Sequence, residues 1–107
     1  MCGIAGLFDI VGHSEFDPDL LQVMNQTQFH RGPDEGGKFL EPGVALAHRR
    51  LSIIDLSSGQ QPMHSADGKV CVVYNGEIYN FRELALELKQ AGYQFRTRCD
   101  TEVILYA

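Results

Sequence analysis

The sequence predicts an α+β fold built on antiparallel strands, and three observations carry that prediction. Read by periodicity and punctuation, the chain runs strand, helix, several strands, helix, strand, helix. Two hairpin signals, Pro42-Gly43 and Asp67-Gly68, lie between apolar segments in its middle. The 107 residues are 44% hydrophobic and 21% charged, so the chain is an ordinary globular domain rather than a disordered one.

The elements follow in order. Gly3-Ile4-Ala5-Gly6-Leu7-Phe8-Asp9 is short, apolar and punctuated by glycine, which predicts a buried strand. Val11 to Phe16 is a connection. Asp17-Pro18 starts a helix, with Asp as N-cap and Pro at the first helical position. Leu20, Leu21, Met24 and Gln28 continue it, Leu20 and Met24 sharing a face, with an end near Phe29. His30-Arg31-Gly32-Pro33-Asp34-Glu35-Gly36-Gly37 is dense in turn residues and predicts a loop.

Lys38-Phe39-Leu40 and Val44 to His48 then form a hairpin about Pro42-Gly43, and Arg49 to Asp55 extends it. Side chains alternate along a strand, so the Arg49-Arg50 pair predicts one arginine inward and one solvated. The inward one needs a carboxylate partner from the protein or a ligand. Leu56 to Met63 is a polar loop. Val70 to Tyr74 is β-branched and nearly continuous, which predicts a strand buried on both faces, with Cys71 as core packing.

Asn80 followed by Glu83 is a capping-box pattern. Phe81, Leu84, Ala85, Leu88 and Ala91 form the core-facing side of that helix, and Gly92 stops it. Tyr93 to Thr97 alternates as a strand. A last helix opens with Asp100 as N-cap and Glu102 in its first turn, and it breaks off in an apolar run. That break predicts that residues 1–107 are part of a longer protein.

Charge and cysteine usage exclude several classes of function. The net charge of −5, with no basic cluster, argues against nucleic acid or an anionic membrane as partner. No apolar run approaches the roughly 18 residues of a membrane span. The N-terminus lacks a basic region, and Asp9 interrupts any signal-peptide core, so the expected compartment is the cytoplasm. Cys2, Cys71 and Cys99 are odd in number and far apart, which suits a reducing compartment and offers neither a disulfide framework nor a CxxC zinc signature.

Two stretches carry chemistry. Cys2 follows the initiator methionine, so loss of Met1 puts a thiol and a free α-amine on one residue. That amine titrates at about 7.7–8.0 and can accept the thiol proton near neutrality. Asn75-Gly76-Glu77 emerges from a predicted strand and leads into a helix rather than a second hairpin strand. The Asn75 amide and the Gly76 N–H are the donors a developing oxyanion needs, and glycine permits close approach.

Five motifs then occur together: CGIAG at Cys2, HRGPDEGG at His30, HRRLSIIDL at His48, YNGEIYNF at Tyr74 and DTEVIL at Asp100. The set resembles the glutaminase domain of class II glutamine amidotransferases, a family of N-terminal nucleophile hydrolases. Within it, the run from His48 to Met63 and the stretch YNGEIYNFRELALEL are most similar to the asparagine synthetase (glutamine-hydrolysing) branch.

The resemblance implies roles and an incomplete domain. Cys2 is the nucleophile after removal of Met1, and Asn75 and Gly76 are the oxyanion donors. Arg50 holds the glutamine carboxylate, while Glu77 and Asp100 recognise its α-ammonium. Arg49 receives no contact, and His30 and His48 no catalytic role. Residues 1–107 become the first portion of a four-layer αββα sandwich that continues past the last residue. The implied reaction is hydrolysis of L-glutamine to glutamate and ammonia, with no metal or cofactor in this segment. The branch adds a C-terminal synthetase domain that takes ATP and Mg and makes asparagine, and it allows a homodimer. The alternatives are the same glutaminase serving a different amide acceptor, sugar or cell-envelope related, or a non-catalytic glutamine-binding module.

Overall fold

A computed structural model of the chain describes residues 2–51 and 59–107. Its elements are β1 (Gly3–Phe8), α1 (Pro18–Gln26), β2 (Glu35–Glu41), β3 (Val44–Arg50), β4 (Met63–His64), β5 (Cys71–Val72), α2 (Phe81–Gln90) and α3 (Glu102–Tyr106). The predicted mixed architecture with antiparallel sheets is present. The predicted extension over Ser52–Asp55 and the loop residues Leu56–Ser58 lie outside the described residues.

β1, β3 and β2 form one antiparallel sheet with β3 in the centre. The register sets Gly3 opposite Arg49, Glu35 opposite Arg50 and Gly37 opposite His48. The first residues of β1 and β2 therefore both meet the last residues of β3. On one face Ala45 and Ala47 are fully buried against Leu21 of α1. Small side chains there let the helix lie close to the central strand.

Several local expectations are corrected. β1 is not buried throughout: as an edge strand it alternates, and Ile4 and Phe8 point outward. Asp17 caps α1 by accepting from the Asp19 N–H at 2.9 Å, with Pro18 in the first turn, as the sequence predicts. The helix ends at Gln26, short of Phe29, because the Gln28 and Phe29 N–H groups turn to the carbonyls three residues back, Asn25 and Gln26. Its buried positions are Leu21 and Asn25 rather than Leu20 and Met24, and Leu20 is 48% exposed. Glu35, Gly36 and Gly37 belong to β2 and not to the preceding loop, because β3 pairs with them.

Both predicted turns form, and each places a glycine at positive φ, Gly43 at +87° and Gly68 at +73°. The second hairpin is short: only Met63–His64 and Cys71–Val72 pair. With one short partner strand, Val70 to Tyr74 is not buried on both faces; Cys71 is half-buried and Val70 is 46% exposed. A second apolar cluster of Met63, Cys99 and Leu105 lies here, with Val72 and Tyr106 against it.

α2 forms where the pattern places it, but Asn80 makes no side-chain cap; its carbonyl instead accepts from the Leu84 N–H. Phe81, Leu84, Ala85 and Leu88 share the half-buried face, while Ala91 is exposed and no residue of α2 is fully buried. Gly92 at φ +104° stops it: the Tyr93 N–H reaches back to Leu88 O and the Gly92 N–H to Lys89 O.

Tyr93 to Thr97 is not a strand. The Glu102 carboxylate takes the Arg96 and Thr97 N–H groups, each at 2.8 Å, in place of a neighbouring strand. Tyr93 and Phe95 instead pack their rings on Tyr106. Thr101, not Asp100, is the N-cap of α3, because the Asp100 carboxylate is turned toward the loop before α2.

Candidate active site

Cys2 sits at the head of β1, beside the end of β3. Its half-buried Sγ lies 3.4 Å from the Leu51 N–H, which donates to it, and 3.7 Å from the Leu51 carbonyl. The Arg31 Nε–H donates to the Cys2 carbonyl at 3.1 Å. Two of the sequence motifs thus grip the residue that carries the thiol. The next residue, Gly3, packs against the Gln28 side chain.

The end of β3 is polar and buried. Arg49 is 8% and Arg50 5% exposed, so the expectation that one is solvated fails. Each has an acceptor inside the fold. The Arg49 Nε–H donates to the Gly32 carbonyl at 2.8 Å, and its guanidinium stacks over the Phe29 ring at 4.8 Å. Arg50 Nη1 bonds Glu35 at 3.1 Å, the protein carboxylate that an inward arginine requires.

His48, 1% exposed, places Nε2 3.1 Å from the Tyr74 carbonyl. A carbonyl only accepts, so Nε2 carries the proton and Nδ1 is bare. Among the described residues, Nδ1 has no hydrogen-bond partner. Burial pushes the imidazole pKa below its usual 6.5, and the charges of Arg50 and Arg49 push the same way. His30 is exposed.

The loop from Tyr74 to Ile78 forms the facing wall. Asn75, Gly76 and Glu77 are all exposed. The loop is held through its backbone. The Tyr74 N–H donates to Gln61 Oε1 at 2.6 Å, and the Ile78 N–H donates to Asp100 Oδ2 at 2.9 Å. Asp100 is buried, and its other oxygen lies 3.6 Å from Cys99 Sγ.

One cleft is lined by Cys2, Arg50, Leu51, Gly59, Gln61, Tyr74, Gly76, Glu77, Cys99, Asp100 and Thr101. It gathers five of the six residues singled out in the sequence: Cys2, Arg50, Gly76, Glu77 and Asp100. Asn75 is not among its lining. The lining brings two thiols, Cys2 and Cys99, together with one guanidinium and two carboxylates, and those three charged groups suit a ligand bearing both a carboxylate and an ammonium.

Gln61, Glu35 and Tyr74 are site neighbours to which the sequence motifs assign no role. Glu35 was foreseeable only as the unnamed partner of an inward arginine. Gln61 lay in a stretch read as polar loop, where nothing distinguishes it from Gln60. Among the described residues, no group of three His, Cys, Asp or Glu is arranged to hold a metal ion. No described helix is long and apolar enough to cross a membrane.

Comparison with known proteins places the chain. The sequence profile described as "Glutamine amidotransferase domain" matches residues 1–107. "Asparagine synthetase [glutamine-hydrolyzing] 1" of Bacillus subtilis is 44% identical over 107 residues, covering 98% of this chain and 17% of that protein. "Probable asparagine synthetase [glutamine-hydrolyzing]" of Schizosaccharomyces pombe is also 44% identical, over 99% of the chain and 19% of that protein. "Asparagine synthetase [glutamine-hydrolyzing] 3" of Arabidopsis thaliana is 40% identical over 99% of the chain and 18% of that protein. The chain thus spans under a fifth of the length of these relatives. A match along its whole length, together with the motifs that meet at one cleft, makes this chain a member of the glutamine amidotransferase domain family.

Proposed function

We propose that this domain hydrolyses L-glutamine to glutamate and ammonia through Cys2. The observation that carries the reading is the single cleft shared by Cys2, Arg50, Gly76, Glu77 and Asp100. Arg50 receives the substrate carboxylate, because a planar fork can hold Glu35 and a ligand carboxylate at once. Glu77 and Asp100 receive the ammonium.

With Met1 removed, the Cys2 α-amine accepts the thiol proton. Sulfur adds to the side-chain amide carbon, and the electron pair of the C=O moves to oxygen. The Gly76 N–H and the Asn75 amide stabilise that oxyanion. Collapse breaks the C–N bond, and the nitrogen leaves as ammonia with the proton held by the amine. The γ-glutamyl thioester adds water, the C–S bond breaks, and glutamate and the free thiol result.

In this reading residues 1–107 are the first portion of a four-layer αββα sandwich. The ammonia serves an ATP- and Mg-dependent synthetase domain that makes asparagine, as the names of the relatives suggest. ATP and Mg are assigned to that domain and to no residue of this chain. The protein is cytoplasmic.

The test is the intact mass of the full-length natural protein before and after a diazo-ketone analogue of glutamine. Loss of Met1 and one adduct on Cys2, absent in Cys2→Ala, are expected. Cys2→Ala should also abolish glutaminase turnover and still bind glutamine. A retained Met1, or a folded protein that takes no adduct, would leave a glutamine-binding module as the better account.

A further inference from the structure

Tyr74 is held on every side. Its N–H donates to Gln61 Oε1 at 2.6 Å, and its carbonyl accepts from His48 Nε2 at 3.1 Å. Its ring lies over the next residue but one: a Cβ on Gly76 would come within 2.6 Å of the Tyr74 hydroxyl oxygen. The Tyr74 ring thus packs close beside the Gly76 backbone.

The two groups that grip Tyr74 are themselves fixed to the central sheet. His48 is on β3, 1% exposed, and directly opposite Gly37 of β2. Gly37 touches the Gln61 carbonyl so closely that a Cβ there would overlap it. Gln61 also donates from Nε2 to the Thr101 hydroxyl at 3.4 Å. Thr101 adjoins Asp100, which holds the far end of the same loop at Ile78. The exposed loop of Asn75 and Gly76 is thus registered to the sheet that carries Cys2.

We propose that His48 and Gln61 are positioning residues, a clamp on the Tyr74 peptide groups that sets the Gly76 N–H and the Asn75 amide for the oxyanion. The proposal rests on the glutaminase reading above. His48 lies outside the cleft lining and Gln61 is on it, and in this proposal both act through Tyr74. A misplaced donor costs turnover rather than ground-state binding, because the oxyanion exists only after attack.

The experiment compares His48→Asn with His48→Gln in the full-length protein. A glutamine amide nitrogen can occupy the position of imidazole Nε2, whereas an asparagine amide reaches only the position of Nδ1. Glutaminase kcat should fall about 10- to 100-fold in His48→Asn, a substantial part of what losing one oxyanion donor costs. KM should stay within about threefold, and His48→Gln should restore much of the lost kcat.

Amide hydrogen exchange supplies a readout separate from turnover. Protection of the Tyr74 N–H should drop at least about tenfold in Gln61→Ala and persist in Gln61→Glu, which keeps an acceptor. Equal losses in the two His48 variants, a loss confined to KM, or Tyr74 exchange indifferent to Gln61 would overturn the clamp. A wild-type protein without glutaminase activity would overturn the underlying reading, and the catalytic purpose of the clamp with it. Tyr74 exchange would still report in that case whether the contact itself exists.

Discussion

The two walls that meet at the cleft, the end of β3 and the loop after Tyr74, are built by opposite means. On the β3 side His48, Arg49 and Arg50 are buried, and each is held by its own side chain: His48 to Tyr74, Arg49 to Gly32, Arg50 to Glu35. On the loop side Asn75, Gly76 and Glu77 are exposed, and what is fixed is backbone, at Tyr74 and Ile78. The first wall holds charge by desolvating it next to a partner, so a lost partner is expensive. The second wall is held by hydrogen bonds from elsewhere and gives way when its supports do. The difference teaches where each wall will fail: the β3 side in stability and binding, the loop side in turnover.

The largest stability effect should arise outside both walls, in the segment that follows α2. Glu102 is 1% exposed, and its carboxylate accepts from the Arg96 and Thr97 N–H groups and from the Thr97 hydroxyl. Glu102→Ala leaves those donors facing a hole and should cost about 3–5 kcal/mol, since hydrogen bonds to a charged group are worth about 1.5–3 each. Denaturant titration checks this. Glu102→Gln keeps an acceptor and the volume and should cost less than half as much. Equal losses would mean that packing, not hydrogen bonding, holds this segment.

That residue also shows what was legible in the sequence. Alternating Tyr93 to Thr97 predicts a strand, yet the backbone donors of Arg96 and Thr97 go to a carboxylate five or six residues later. No period or propensity encodes such a partner. The hairpin about Pro42-Gly43, the Asp17-Pro18 helix start and the Gly92 stop were legible because each is set by one or two residues acting locally. The buried faces were less so. Leu21 and Asn25, rather than Leu20 and Met24, face the sheet, because Ala45 and Ala47 leave room at one angle of the helix. The site followed the same division. Cys2, Arg50, Gly76, Glu77 and Asp100 carry their chemistry in their own type, and they meet at one cleft. Gln61 is a polar side chain like many others, and only the fold brings it to Tyr74.

A middle-sized effect should separate the walls by kinetics. Arg50→Lys removes the planar fork from the buried β3 wall, and lysine cannot hold Glu35 and a ligand carboxylate in the same bidentate way. The expected result is a KM for glutamine raised about 10-fold or more, equivalent to about 1.4 kcal/mol, with kcat changed much less. Steady-state glutaminase assays of the full-length protein check it. A loss mainly in kcat would place Arg50 with the loop wall, in the alignment of the reaction rather than in binding.

The smallest effect is one of pH, and it probes the contact that joins the two walls. Burial holds His48 neutral in the fold, and Arg50 and Arg49 oppose its protonation; the Tyr74 carbonyl and Glu35 favour it without prevailing. The folded pKa is therefore below the unfolded 6.5, so the unfolded chain takes up the proton first. The stability contributed by the neutral imidazole is complete above pH 6.5 and is lost as pH falls from there toward the folded pKa. One proton can change stability by at most about 1.4 kcal/mol per pH unit, and the real slope should be a fraction of that. Denaturation of the full-length protein between pH 7.5 and 5, compared with His48→Gln, isolates the contribution, because the variant keeps a donor near Tyr74 but cannot titrate. The wild-type curve should fall more steeply below pH 6.5. Parallel curves would mean that the imidazole charges in place at little cost, and that the end of β3 is more open to water than its burial implies. In that event the two walls would differ in how they hold their groups but not in how dry they are.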